Sequence, residues 1–107
     1  MNENTRAIVV SQFGGPEVLE WQESELPPLG PTDVLVRHTV VGLNFIDVYH
    51  RTGLYPLELP FTPGVEAAGI IEAVGSNVDD LSPGERVAYT GNGPPGSYSE
   101  KRVLPQT

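Results

Sequence analysis

Between Gly42 and Pro56 the sequence reads GLNFIDVYHRTGLYP, which crowds Asn44, Asp47, Tyr49, His50, Arg51 and Tyr55 into one short segment with a glycine near each end. An amide and two phenols can hold a carbonyl oxygen or a flat ring in place, a carboxylate and a guanidinium can pair, and an imidazole can carry a proton or a metal. The segment suits a short helix over 44–52. Asn44 fits an N-cap, Asp47 lies in the first turn, and Gly53 follows as a stop; a 3₁₀ or turn-like form suits the same residues. On a helix, Asn44, Asp47, Val48 and Arg51 share one face while Phe45 and Tyr49 lie on a neighbouring one. Each residue also has a plainer role. Asn44 serves as a cap alone, Asp47 and Arg51 complement the two helix ends, and Tyr49 and Tyr55 are half-buried rings with wet hydroxyls.

Composition removes several kinds of chemistry. The 107-residue chain has no Cys, which excludes disulfides, thiolate metal ligands and cysteine nucleophiles. Six Lys and Arg against 14 Asp and Glu leave a formal charge of −8, so phosphate backbones and anionic lipid surfaces are repelled and no nucleic acid partner is expected. The opening residues MNENTR lack the pattern of a signal peptide, and no apolar run approaches the roughly 20 residues that span a bilayer. A cytoplasmic location away from the membrane is the expectation. His38 and His50 fall on different elements with no His-x-x-x-His spacing, so no metal site is expected. His38 reads as a packed strand residue and His50 as an exposed helix residue.

The sequence 91-GNGPPG-96 matches the glycine fingerprint of a dinucleotide loop to the letter. Pro94 and Pro95 remove two of the backbone amides that a pyrophosphate would need, and too little chain follows for a crossover helix and a ribose-binding acid. It is expected to be a turn between strands.

The elements around the 42–56 segment read as strands. Arg6–Val10 and Val18–Glu23 form a hairpin, with Leu19 and Trp21 on one face. A long strand over 34–43 places Val34, Val36, His38 and Val40 on one side. Further strands are expected over 65–75, 86–90 and 98–104, with Pro83-Gly84 at the centre of a type II turn. Six or so strands joined by short turns, with one or two short helices, define a mostly β domain built as a compact, partly open barrel. The length allows one domain, spanning 1–107.

In their order and spacing, 42-GLNFIDVYHRTGLYP-56, 64-GVEAAGIIEAVGSNV-78 and 84-GERVAY-89 resemble the N-terminal GroES-like catalytic domain of the medium-chain dehydrogenase/reductase superfamily. Within it the chain is similar to the zinc-free quinone oxidoreductases, the zeta-crystallin-like branch, as is 13-FGGPEVLE-20. Zinc-dependent relatives place a Cys where this chain has Asn44 and a His where it has Val65. The resemblance implies a GroES-like fold, NADPH as cofactor, no metal, and a quinone or related conjugated carbonyl as substrate. It also implies that the 42–56 segment walls a cleft, with Asn44, Phe45, Asp47 and Tyr49 towards the cofactor and Tyr49 and Tyr55 as the catalytic pair flanking the substrate. A Rossmann domain follows in this family and is missing from the 107 residues, so the fragment by itself should be inactive. Its exposed apolar surface should favour a homodimer or other self-association. Glu66, flanked by Val65, Ala67 and Ala68, needs a partner if buried, and Arg51 is the expected one.

Overall fold

A computed structural model describes residues 4–91 and 93–106. It contains six strands, β1 (Asn4–Val9), β2 (Glu20–Glu25), β3 (Asp33–Val41), β4 (Glu66–Val74), β5 (Arg86–Thr90) and β6 (Lys101–Pro105). One helix, α1 (Phe45–Thr52), and a 3₁₀ turn at Pro16–Val18 complete the regular structure. β1 and β2 form a two-stranded antiparallel sheet; the other four strands form an antiparallel sheet in the order β5-β4-β3-β6.

The hairpin pairs Ile8 with Trp21 and Val9 with Glu20. Its second strand starts later than the alternation implied, because Pro16 nucleates the 3₁₀ turn that takes up Val18. Thr5, Ala7 and Val9 are buried, so Trp21, opposite Ile8, lies on the outward face and is half exposed. β6 also begins later than 98. The stretch before it runs alongside β1 instead, where Ile8 N–H donates to Tyr98 O and Glu100 N–H to Arg6 O, tying the small sheet to the large one.

The large sheet is curled. Its two edge strands share no ladder, yet side chains from both meet over the middle of β3. His38 on β3 contacts Tyr89 of β5 at 2.9 Å from Nε2 to the phenol oxygen, and Arg102 Nη1 of β6 approaches the same oxygen at 3.4 Å. His38 Nδ1 lies 2.8 Å from Ser99 O, which can only accept, so Nδ1 carries the proton and Nε2 accepts from Tyr89. Below this triad the inner face is apolar: Val34, Val36 and Val78 are buried, packed by Val74, Leu81, Val87 and Leu104. The expected face of Val34, Val36 and His38 is therefore the inside of a partly open barrel. Val40, next in the alternation, emerges from it 66% exposed.

Close approach of backbones sets the curl. Gly69 of β4 lies opposite His38, flanked by register shifts in β3. A Cβ at Gly69 would fall 2.2 Å from Arg37 O and 3.0 Å from His38 Cα. Gly84 is glycine for another reason. In the turn closed by Glu85 N–H to Ser82 O its φ is 94°, while the space around it is open. This is the turn expected at Pro83-Gly84. The 91-GNGPPG-96 segment leads through a loop towards β6 with no helix at its end, Asn92 itself lying outside the described residues.

Two outcomes follow. Gly69→Ala should cost about 3 kcal/mol in a denaturant titration, since backbone must move, whereas Gly84→Ala should cost about 1 kcal/mol through its left-handed conformation alone. Burial holds His38 below its ordinary value, with the Ser99 carbonyl opposing and Arg102 adding to the depression. The unfolded chain then takes up a proton near 6.5 that the folded chain refuses. Stability should fall as pH drops from 6.5 towards the lowered value and level off below it. Denaturation midpoints at pH 7.5 and pH 5 should differ more for the native chain than for His38→Gln.

Candidate functional site

Helix α1 is positioned from three directions. Its N-cap, Asn44, is extended (φ −133°, ψ 157°), and the Asp47 carboxylate reaches back to accept the Asn44 N–H at 3.0 Å. The same Oδ2 accepts the Tyr98 hydroxyl at 2.7 Å. Asp47 is only 3% exposed, and its Oδ1 has no protein partner. Burial, reinforced by the carboxylate it donates to, pushes the Tyr98 phenol well above its usual range, so it remains a donor.

At the other end Gly53 is left-handed (φ 88°), its N–H donating to the carbonyls of Tyr49 and His50. Arg51 Nη1 donates to Gly14 O at 2.8 Å, and Gly14 N–H returns a bond to Arg51 O at 3.0 Å. This reciprocal pair fixes the FGG loop, whose Phe13 ring lies against Gly53. His50 is half-buried, tilted edge-on to Phe61 at 6.5 Å, and not the exposed residue expected from sequence.

The expected Glu66–Arg51 pair does not form. Glu66 opens β4 beside the end of β3, where Gly42 N–H donates to Glu66 O, and α1 begins just beyond. Asn44 is therefore the neighbour at hand, and its Nδ2 donates to Glu66 Oε2 at 2.7 Å. Arg51 sits at the opposite end of the helix, committed to Gly14.

The other sequence-selected residues fall into two groups. Tyr49 and Tyr55 meet ring to edge, with centroids 5.5 Å apart and planes at 85°, held by Tyr55 N–H donating to Tyr49 O. Phe45 projects 82% exposed from the first turn. Asn44, with Glu66, lies at the helix start. Asp47 faces inward, so it shapes this surface through the helix it anchors.

Two hollows share Leu43 and Tyr98 as walls, and the smaller of them touches the helix. The larger, about 460 Å³, is walled by Ile8, Trp21, His38, Leu43 and Tyr98. The smaller, about 170 Å³, is walled by Leu19, Leu43, Asp47, Arg51 and Tyr98. Asn44, Phe45, Tyr49 and Tyr55 line neither. Tyr98, which sequence reasoning placed in a strand, joins the two; a lone tyrosine between serines carries no local signal of a buried carboxylate partner. Among the described residues no three of His, Asp and Glu converge as metal donors.

Comparison with known proteins agrees with this architecture. The family model for the alcohol dehydrogenase GroES-like domain matches residues 30–107. A quinone oxidoreductase of Pseudomonas aeruginosa is 50% identical over 100 residues, 92% of this chain and 30% of the relative. A 2-haloacrylate reductase of a Burkholderia species is 43% identical over 103 residues, 92% of this chain and 31% of the relative. The crystal structure of the Escherichia coli quinone oxidoreductase complexed with NADPH superposes with a TM-score of 0.79 at 40% identity, over 92% of this chain and 30% of that one. The chain thus spans about 30% of the length of the relatives it matches. With the GroES-like roll, the capped helix and a family match over most of the chain, the chain belongs to the alcohol dehydrogenase GroES-like domain family, with quinone oxidoreductases of the medium-chain dehydrogenase/reductase superfamily among its relatives.

Proposed function

We propose that this chain is the substrate-side domain of a zinc-independent, NADPH-dependent quinone oxidoreductase. The observation that carries the reading is the 2.7 Å bond from Asn44 Nδ2 to Glu66. By resemblance, zinc-dependent relatives have a Cys at the Asn44 position; here an amide at that position donates to a carboxylate instead. The P. aeruginosa and E. coli quinone oxidoreductases support the acceptor, and the NADPH in the latter structure supports the cofactor.

The described residues fit the nicotinamide end of such a cofactor and not its phosphates. Phe45 and the Tyr49–Tyr55 pair present aromatic surface on one side of α1, while Pro94 and Pro95 lack the amides a phosphate loop requires. When bound, NADPH supplies a hydride. Tyr49 and Tyr55 would donate hydrogen bonds to the carbonyl oxygens of the acceptor, steadying the negative charge that develops there, and their ring edges would align its plane. Asn44 is oriented by Glu66, and the whole wall is held by Asp47 and Tyr98. A conjugated, aromatising acceptor needs no more electrophilic help than such donors give.

A second reading, a zinc-independent enoyl or alkenal reductase on the same scaffold, draws on the 2-haloacrylate reductase relative. Steady-state assay of the complete protein with 1,4-benzoquinone and 2-chloroacrylate separates the two by their kcat/KM. A free-standing GroES-like binding module is the remaining alternative, and activity with either acceptor would eliminate it.

The 107 residues alone should show no saturable NADPH binding at micromolar concentration and no quinone reduction; a calorimetric titration that saturated there would overturn the assignment of cofactor binding to another domain. In the complete protein, Tyr49→Phe should lower kcat/KM for the quinone about tenfold, equivalent to about 1.4 kcal/mol of transition-state stabilisation, while leaving the denaturation midpoint in place. Tyr98→Phe should cost about 2 kcal/mol of stability by stripping a donor from a buried carboxylate.

A further inference from the structure

The curl that brings β5 and β6 together leaves a hollow of about 430 Å³ between them, away from α1. Val65, Pro94, Leu104 and Pro105 give it apolar walls, Tyr89, Thr90 and Gln106 add neutral polar groups, and Arg102 is its one cation among the described residues. Arg102 is held rigidly. Its guanidinium lies 5.6 Å from the Tyr89 ring centroid, Nη2 donates to Pro94 O at 2.6 Å, and Nη1 meets the Tyr89 oxygen. Two of its five N–H donors are engaged, leaving three.

Among the described residues no carboxylate pairs with Arg102; ion pairs on the sheet join Arg37 and Lys101 to Glu72. Nor does any acidic side chain among them line the hollow, in a chain with 14 Asp and Glu. A half-buried cation without a counter-charge is costly, so the hollow is predisposed to take an anion. Burial keeps the Tyr89 phenol protonated and thus unable to repel one. One guanidinium balances one negative charge, and the apolar walls suit a ligand whose remaining body is hydrophobic.

We propose that this seam binds a small monocarboxylate with an apolar body, the carboxylate on Arg102 and the body against Leu104, Pro94 and Pro105. The site does not depend on the oxidoreductase reading.

Benzoate titrated into the 107-residue chain and followed by amide NMR tests it, with uncharged benzamide and inorganic phosphate as comparison probes. Saturable shifts at Thr90, Gly91 and Gln106 are expected, with benzoate at least tenfold tighter than benzamide and tighter than phosphate. Arg102→Met should weaken benzoate at least tenfold, and Arg102→Lys less. Equal binding of benzoate and benzamide, equal shifts from phosphate, no saturable benzoate shift, or undiminished binding in folded Arg102→Met would each overturn the proposal. Should Arg102→Met fail to fold, the probe comparison on the native chain decides the question.

Discussion

One buried carboxylate governs the geometry of the candidate site. Asp47 closes the start of a two-turn helix and accepts a phenol from the far side of the domain, both through the same oxygen. A helix this short has little stability of its own, since nucleation costs more than a few internal bonds return. Its orientation is therefore imposed by what it is bonded to. Tyr98 fixes one end and Gly14 the other, and the residues between them inherit a defined direction.

The sheet is shaped by a different balance. Alternating valines along β3 fill the inside of the roll, and Gly69 lets β3 and β4 approach more closely than any side chain would permit. Where the roll widens, apolar filling gives way to a chain of hydrogen bonds from Arg102 through Tyr89 to His38 and the Ser99 carbonyl. Each link of that chain pairs a donor with an acceptor, as a partly buried polar cluster favours. The barrel stays open along this line because side chains, not a backbone ladder, span the gap between its edge strands.

Much of this was legible beforehand for specific reasons. Two-residue alternation located β3, small and β-branched residues around Gly69 marked β4, the Pro83-Gly84 turn announced β5, and Asn44, Asp47 and Gly53 marked both ends of α1 through local capping rules that hold whatever surrounds the helix. The Pro83-Gly84 turn was equally local. The losses were long-range. Pairing Glu66 with Arg51 was a guess about distance, and Asn44 was simply nearer. The partnership of Tyr98 with Asp47 spans 51 residues and left no periodic trace. Trp21 was placed on a face with Leu19, but Leu19 lies before β2, and alternation does not say which face is covered. Neither the ring-to-edge contact of Tyr49 with Tyr55 nor their separation from the two hollows had a local signal in the sequence.

The surface that α1 and the end of β3 present is unusually apolar: Val40 is 66% exposed, Leu43 81% and Phe45 82%. Three large side chains standing clear of the body are hydrated in isolation. Whatever surface comes to rest on them, from the same polypeptide or another, releases that water, so its association will be driven by entropy near room temperature and marked by a negative change in heat capacity. The union will consequently loosen on cooling.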